Sequence, residues 1–267
     1  MLTTAENKSA WQGVLDFPLS GRKQKPRRTG LTMVIDKGLG LTEMRDLLEM
    51  AAPYIDFIKL GFGTSVFYPA KILAEKIRLV KSYGVDIFPG GTFLEVSLFQ
   101  GKLDLYLQKA AELGYTFIEV SDGTIPLTPE ERLMAIRKAQ DFGFQVIAEV
   151  GKKDPRDRLD NSLILEQIKQ DLNAGVYKVI VEGRESGRGV VIYAGDGSVL
   201  EKDLEELACG VPCLDDIIWE APLKNQQQEL ILRFGPNVNL GNIHPADVLA
   251  LEALRVGLRG DTLRSVI

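Results

Sequence analysis

Histidine is nearly absent from this 267-residue chain, which contains only His244. A histidine-rich zinc centre is therefore excluded, and a Ser-His-Asp triad is disfavoured. His244 lies in the segment GNIHPAD, which is typical of a turn that leads into a helix. In an enzyme of this composition, acid and base roles would pass to lysine, glutamate, aspartate or water.

Cysteines and long apolar runs are also scarce, and acidic residues outnumber basic ones. Cys209 and Cys213 lie four residues apart without a second pair, so we expect reduced thiols with a structural role. The net charge of −5 argues against a nucleic-acid or anionic-membrane binder. No apolar stretch approaches the roughly 20 residues of a membrane span, and the N-terminus lacks the apolar core of a secretory signal. We therefore expect a cytoplasmic protein.

Short runs rich in Val, Ile and Phe alternate with longer segments of helical periodicity, which indicates successive βα units around a parallel sheet. Such runs predict eight strands, at 32–36, 56–61, 85–90, 117–122, 146–151, 178–183, 216–221 and 237–242. Eight strands in a chain of about 250 residues are typical of the (β/α)₈ TIM barrel. We predict a single α/β domain of this kind over residues 29–267, preceded by a short N-terminal extension, residues 1–28.

The predicted helices have recognisable ends. Thr128, Pro129 and Glu131 carry the signature of a capping box at a helix start. Glycines suited to the left-handed position after a helix follow this and three other predicted helices, namely Gly84, Gly114, Gly143 and Gly175.

Four predicted strands carry a glutamate directly after an apolar pair, in FIE, IAE, IVE and IWE. Reactive groups of a TIM barrel stand at the C-terminal ends of its strands, and strand side chains alternate between two faces. If the glutamates face the lumen, four carboxylates converge at its mouth, where their repulsion calls for a cation such as Mg²⁺. One such glutamate would more often be solvated or salt-bridged, but four in register favour a functional cluster. The predicted metal ligands are Glu119, Glu149, Glu182 and Glu220.

Lysines accompany these carboxylates. Lys59, inside FIKLGFG, cannot easily reach bulk water from a closed barrel, so a role in the site is favoured. In IAEVGKKD, Lys152 and Lys153 follow the fifth strand, and the side chains of adjacent loop residues diverge. The alternation of side chains along a strand does not show which of the two lysines faces the mouth, although Lys152 is nearer the strand end.

Two glycine-bearing loops are suited to oxyanions. EGRESGRG, after the sixth strand, offers Arg184 and Arg188, and NLGNIHPAD leads from the eighth strand into the last helix, the usual phosphate position in these barrels. The basic run GRKQKPRR (21–28) either helps to close the mouth or is a solvated surface segment. Strand ends and loops together supply the predicted substrate-binding residues Asp36, Lys37, Arg184, Asn239, Gly241 and Asn242.

Successive segments of the chain resemble the phosphosulfolactate synthase family. They include TMVIDKGLG, DFIKLGFGTS, PGGTFLE, IEVSDGTI, AEVGKKDP, VEGRESG, WEAPLKNQQ, NVNLGNI and GLRGDT, and they run in order from about Thr29 to Thr262. The resemblance implies a Mg²⁺-dependent lyase that adds sulfite to phosphoenolpyruvate to give (2R)-2-phospho-3-sulfolactate. That product serves coenzyme M biosynthesis in methanogens and sulfolactate formation in some bacteria.

The same resemblance suggests how the residues divide the work. Glu149 and its neighbours would hold Mg²⁺, and a lysine, expected to be Lys152, would protonate C2 from one face. Lys59 is the second predicted catalytic lysine, and with Arg184 it would hold the phosphate, carboxylate or sulfite. The expected partners are these small anions and further copies of the chain in a homo-oligomer, with no nucleic acid and no membrane.

Two other functions compete with this prediction. A barrel aldolase could use Lys59 or Lys152 to form a Schiff base and would need no metal. A non-catalytic, stress-associated relative of the family would be expected to lose charged strand-end residues. The four glutamates weigh against the first alternative, and the complete set of charged residues weighs against the second.

Overall fold

A computed structural model describes residues 10–11, 13–265 and 267 of the chain. The described part contains eight strands, β1 (Thr32–Asp36), β2 (Phe57–Leu60), β3 (Asp86–Pro89), β4 (Phe117–Ser121), β5 (Gln145–Val150), β6 (Lys178–Val181), β7 (Ile217–Glu220) and β8 (Asn239–Ile243). Its α-helices are α1 (Leu41–Ala51), α2 (Ala70–Ser82), α3 (Gly91–Phe99), α4 (Leu103–Leu113), α5 (Pro129–Asp141), α6 (Asn161–Asn173), α7 (Glu201–Gly210), α8 (Lys224–Phe234), α9 (Val248–Arg255) and α10 (Gly260–Leu263).

All eight strands run parallel, in the order β3-β2-β1-β8-β7-β6-β5-β4. Because β1 pairs with β8 and β3 packs beside β4, the sheet forms a nearly closed barrel with the helices around it. The prediction of a (β/α)₈ barrel is confirmed, and each predicted strand is present with ends within two residues of those expected.

The barrel lumen has an apolar layer below a polar one. Large apolar side chains fill the lower layer, including Met33, Phe57, Phe88, Phe117, Ile147, Ile180 and Ile218. Since strand side chains alternate, the residue two positions further along each strand also faces the lumen. In this way Phe57 is followed by Lys59, and Phe117 by Glu119. The phenyl rings of Phe57 and Phe117 meet edge to face at 5.1 Å and seal the floor beneath the charged groups.

The helix ends follow the predicted local chemistry. Thr128 Oγ1 accepts a hydrogen bond from the backbone N–H of Glu131, and Glu131 accepts one from the N–H of Thr128, which completes the capping box of α5. The four glycines predicted to follow helices all have left-handed φ values, between 67° and 90°. Local sequence therefore sets where these helices begin and end.

The basic run 21–28 closes the barrel at the end opposite the strand C-termini. Arg22 pairs with Glu252 of α9 at 2.9 Å, and Arg27 pairs with Asp56, the residue before β2, at 2.7 Å. Both guanidinium side chains are almost fully buried. The run therefore lies away from the mouth: its two paired arginines are anchored against the barrel, and five of its eight residues are exposed at the surface. Of the predicted extension 1–28, residues 1–9 and 12 lie outside the described residues.

Among the helices that the structure describes, none combines the length and apolar character needed to cross a bilayer.

Candidate active site

A pocket of about 310 Å³ opens at the C-terminal end of the barrel strands. Its lining includes the four glutamates predicted from the strand pattern, together with Lys59, Lys153, Arg184 and Asn242. All four glutamates are about 1% exposed. A charged cluster buried this deeply is costly unless opposite charges or protons compensate it.

Lys59 stands at the centre of the carboxylates. Its Nζ lies 2.7 Å from Glu149 Oε2, 2.9 Å from Glu119 Oε2 and 3.1 Å from Glu220 Oε1. Burial opposes the ammonium form, but the surrounding carboxylates, Glu119 and Glu149 foremost, outweigh burial and raise the pKa of Lys59 well above its usual range. Lys59 is therefore a fixed positive charge rather than a free amine.

Lys153 is the second ammonium group in the pocket. Its Nζ lies 3.0 Å from Glu149 Oε1 and 3.5 Å from Glu182 Oε2, and it donates to Thr92 Oγ1 at 3.2 Å. Burial disfavours its charge, yet the charges of Glu149 and Glu182 dominate and raise its pKa above the usual lysine value. Glu149 thus bridges two ammonium groups, one on each carboxylate oxygen.

The carboxylates differ in their affinity for protons. Burial and the nearby charge of Glu149 raise the pKa of Glu119 to about 8, and the same two causes raise that of Glu182 well above its usual value. Burial also opposes the charge of Glu149, but Lys153 and Lys59 outweigh it and hold the pKa of Glu149 below the usual range. Within the cluster, Glu119 and Glu182 therefore bind a proton more readily than Glu149 does.

Lys152, the lysine expected to donate the proton, points away from this pocket. Its Nζ lies 2.6 Å from Asp122 Oδ2 and donates to the Asp122 carbonyl oxygen at 2.7 Å. The alternation of side chains along β5 does not extend to the lysines, because Gly151, with φ 111°, turns the chain between the strand and Lys152. The two adjacent lysines consequently face different surroundings, and Lys153 faces the pocket.

The other predicted substrate-binding residues are only partly brought together. Arg184 and Asn242 line the pocket, each with a left-handed backbone at φ 58° and 53°, and Asn242 Oδ1 is buried without a hydrogen-bond partner. Lys37 lies on the β1 loop and pairs with Glu185 of the pocket rim at 2.5 Å. Arg184 and Asn242 are therefore the predicted anion-site residues with direct access to the pocket.

Besides Lys37, three more of the predicted substrate-binding positions lie outside the pocket lining. Asp36 is bonded to Lys76 of α2 and to the N–H groups of Gly38 and Leu39, on the helix-facing side of β1. Asn239 donates to the carbonyl oxygen of Ile217 at the base of the lumen. At Gly241 a Cβ atom would approach Met33 Cε to 2.6 Å, so a side chain there has no room.

The first turns of α3 contribute residues that the sequence pattern did not single out for a role. The Gly91 N–H donates to Glu119 Oε1 at 2.6 Å, and Thr92 contacts Lys153. Glu95, 1% exposed, accepts hydrogen bonds from the backbone N–H groups of Thr124 and Ile125. The consecutive glycines of PGGTFLE, directly after a strand, are the sequence signal that the backbone here lies close to Glu119.

The donor set suits a hard divalent cation. Glu149, Glu182 and Glu220 each offer a carboxylate oxygen, and these oxygens lie within 4.8 Å of one another. Glu182 Oε2 is buried without a hydrogen bond. Carboxylate oxygens are the ligands that Mg²⁺ prefers, so these three residues could hold such an ion. Glu119, the fourth predicted ligand, lies outside this group of three and contacts Lys59 and the Gly91 N–H.

The electrostatics disfavour Schiff-base chemistry at Lys59. An amine must be neutral to attack a carbonyl, and enzymes that use lysine as a nucleophile lower its pKa. The pKa of Lys59 is shifted in the opposite direction. The aldolase alternative therefore loses one of its two candidate nucleophiles, and the other, Lys152, lies outside the pocket.

Comparison with known sequences gives similarity over nearly the whole chain. The sequence model of the family described as (2R)-phospho-3-sulfolactate synthase (ComA) matches residues 20–261. The phosphosulfolactate synthase of Methanothermobacter thermautotrophicus is 45% identical over 255 residues, covering 94% of this chain and 98% of that protein. The phosphosulfolactate synthase of Bacillus subtilis is 40% identical over 250 residues, covering 93% and 97%.

Solved structures of similar shape share the barrel. The 3-hexulose-6-phosphate synthase of Salmonella typhimurium superposes with a TM-score of 0.57 at 15% identity, covering 85% of this chain and 98% of that one. A phosphonopyruvate hydrolase superposes with a TM-score of 0.54 at 16% identity, covering 84% and 79%. Similarity at this level of identity establishes the fold alone.

Proposed function

The chain belongs to the (2R)-phospho-3-sulfolactate synthase family, and from this premise we propose that it adds sulfite to phosphoenolpyruvate to form (2R)-2-phospho-3-sulfolactate. Membership of this family makes the protein an enzyme of the lyase type that forms a carbon–sulfur bond. The resemblance noted in the sequence is thereby confirmed at the level of the family.

The single observation that best supports this reaction is the pairing of Lys59 and Lys153 around Glu149 inside one buried pocket. Sulfite and phosphoenolpyruvate are both anions, and their mutual repulsion opposes the encounter. Two ammonium groups in a largely buried pocket offset that repulsion better than they would in bulk water. Arg184, on the pocket rim, adds a guanidinium group suited to bidentate contact with a phosphate or carboxylate.

We assign Mg²⁺ to the oxygens of Glu149, Glu182 and Glu220. When bound, the ion would stabilise negative charge as it develops on the substrate carboxylate. Lys59 and Gly91 hold Glu119 beside this group, so Glu119 would orient Lys59 rather than complete the coordination. This division uses all four glutamates, and Lys153, which contacts Glu149 and Glu182, lines the pocket beside the proposed metal position.

The bond changes can be written with these residues. The sulfur lone pair of sulfite attacks C3 of phosphoenolpyruvate and forms the C3–S bond. The electron pair of the C2=C3 double bond then moves to C2 and the adjacent carboxylate. Lys153 Nζ donates one proton to C2, and the resulting amine recovers a proton from water. Because the proton comes from one side of the pocket, the product has a single configuration at C2.

A lysine with a raised pKa suits this step. The nearby carboxylates keep Lys153 protonated at neutral pH, so the proton is present when the far more basic enolate forms. Lys59, held by three carboxylates, keeps its proton and contributes charge. We therefore assign the donor role to Lys153 and the electrostatic role to Lys59.

The experiment that tests the proposal mixes purified protein, phosphoenolpyruvate and sulfite with and without Mg²⁺. The enol absorbance should fall, and mass spectrometry should detect phosphosulfolactate, only when all components are present. A well-folded protein that forms no adduct with Mg²⁺ present would refute the reaction.

A further inference from the structure

The turn after β5 separates two adjacent lysines with opposite surroundings. Lys153 enters the pocket, whereas Lys152 is bonded to Asp122. Both lysines contact the same short segment at the end of β4, residues 122–123. This segment is absent from the chemistry proposed above, and its contacts to the two lysines differ in kind.

Asp122 holds Lys152 through several contacts. Its Oδ2 lies 2.6 Å from Lys152 Nζ, and its carbonyl oxygen accepts from the same Nζ at 2.7 Å. Its Oδ1 accepts from Arg132 at 3.1 Å and from Gln167 at 3.3 Å. Arg132 in turn donates to the backbone carbonyl oxygen of Glu149 at 3.0 Å. The anchor of Lys152 is therefore tied to the strand that carries the central carboxylate.

Gly123 accepts a hydrogen bond from Lys153, and because it has no side chain it leaves room for the lysine stem. The carbonyl oxygen of Gly123 accepts from the backbone N–H of Lys153 at 3.0 Å. A Cβ atom on Gly123 would lie 3.2 Å from both Cγ and Nζ of Lys153 and 3.3 Å from its Cδ. The backbone of Gly123 does not have left-handed φ, so the space required by the lysine stem is the structural reason for glycine here.

Neighbouring residues restrict the chain after Gly123 on one side and the turn at Gly151 on the other. The carboxylate of Glu95 accepts from the N–H groups of Thr124 and Ile125, both at 2.8 Å, directly after Gly123. On the other side of the turn, Val191 leaves only 2.6 Å between its Cγ2 and a Cβ atom at Gly151. The turn that carries the lysines is therefore clamped between the β4 and β6 loops.

We propose that Asp122 and Gly123 are positioning residues: Asp122 anchors Lys152 outside the pocket, and Gly123 provides the space through which Lys153 reaches the reacting carbon. This inference rests on the proposed function, in which Lys153 protonates C2. It gives the two lysines distinct tasks, with Lys152 as an anchor and Lys153 as the proton donor.

Gly123→Ala tests the space, and Gly195→Ala is its matched control because a Cβ atom at Gly195 meets nothing within 4 Å. A displacement of the lysine by a few tenths of an ångström should lower kcat by about tenfold, since misplacement of 1 Å can cost about 100-fold. The KM for phosphoenolpyruvate should stay within about twofold, because binding groups elsewhere are untouched. The (2S) product should appear as protonation from water begins to compete.

Equal kcat and equal stereochemical purity in Gly123→Ala, Gly195→Ala and the unchanged protein would overturn the role of Gly123. If Gly123→Ala does not fold, a second pair of variants tests the anchor. Lys152→Met should lower kcat by about tenfold without a matching loss of thermal stability, and Lys152→Arg, which keeps the ion pair with Asp122, should restore most of it. Equal activity of the two would overturn the anchor role.

Failure of the proposed reaction can be distinguished from failure of the positioning role. If the unchanged protein forms no adduct, the reaction itself is refuted, and with it the task of Lys153. If the unchanged protein forms a single enantiomer and these variants do the same at the same rate, the reaction stands and only the positioning role is overturned.

Discussion

Lys59 Nζ lies 2.7 Å from Glu149 Oε2, although the two residues stand on β2 and β5, which do not pair in the sheet. The ion pair therefore crosses the barrel lumen. The contact is almost completely buried, so removal of one partner leaves a charge without compensation in a medium of low polarity. The charged layer is consequently both the candidate catalytic centre and a sensitive part of the fold.

Lys59→Met should destabilise the protein by about 3–5 kcal/mol, because buried carboxylates lose their central ammonium group. Urea unfolding measures the loss. Added Mg²⁺ should recover part of it by binding the freed carboxylates. The control is Lys138→Met, which removes a lysine from an exposed pair with Asp104 and should cost at most about 1 kcal/mol. Equal losses in both variants would contradict a buried, charge-balanced cluster.

Binding of Mg²⁺ should release protons near pH 7. The pKa of Glu182, a proposed ligand, is raised by burial and by Glu149, so a divalent cation that binds this carboxylate would displace its proton. Calorimetry in two buffers of different ionisation enthalpy counts the protons. Glu182→Gln, which removes one proposed ligand, should weaken binding and reduce the release. Binding with no net proton release would contradict the proposed state of the cluster.

Replacement of Glu119 by glutamine should stabilise the metal-free protein at alkaline pH. The folded pKa of about 8 exceeds the ordinary value of 4.5, so the wild-type contribution is full below pH 4.5 and is lost as pH rises to about 8. Glutamine has no proton to lose. The melting temperature of Glu119→Gln relative to wild type should therefore rise across this window, whereas that of the exposed control Glu166→Gln should not. A pH-independent difference would contradict the raised pKa.

The mouth of the pocket carries a weak ion pair between Lys37 and Glu185 at 2.5 Å, with both side chains exposed. Exposed pairs contribute about 0–1 kcal/mol, so Glu185→Gln should barely change stability. It removes a negative charge from the rim and should lower the KM for phosphoenolpyruvate at low ionic strength, with the effect fading at about 1 M salt. Lys37→Met should raise that KM. A higher KM in Glu185→Gln would contradict an electrostatic role for the rim.

The fold and the carboxylate cluster could be predicted from sequence because both depend on strand periodicity. Phe117 and Glu119 share a face by geometry alone, and the same rule places Glu149, Glu182 and Glu220 in the lumen. The same alternation along β1 places Asp36 on the helix side with Val34, where its carboxylate contacts Lys76. Regular strands thus allow the direction of a side chain to be read from its position.

The division between Lys152 and Lys153 could not be predicted in this way. Gly151 interrupts the strand with a φ of 111°, and beyond it the direction of each side chain depends on tertiary contacts. Those contacts come from Asp122 and Gly123, about thirty residues earlier in the chain. The same limitation applies to Glu95, whose hydrogen bonds to a distant loop leave no periodic signal.

The assignment of the proton donor can be tested by direct replacement. Lys153→Met should lower kcat by about 10²- to 10⁴-fold, the usual contribution of a positioned acid, with a smaller change in KM. Steady-state kinetics at fixed Mg²⁺ measures both constants. A loss in Lys152→Met as large as that in Lys153→Met would reassign the proton to Lys152.

The proposed addition of sulfite is tested most directly by the reaction of phosphoenolpyruvate with sulfite in heavy water, with the product followed by mass spectrometry and NMR. We expect Mg²⁺-dependent phosphosulfolactate with one deuterium, bonded to C2 in a single configuration, and almost none from Lys153→Met. Well-folded wild-type protein that forms no adduct, or forms both C2 configurations equally, would contradict stereospecific addition of sulfite at this site.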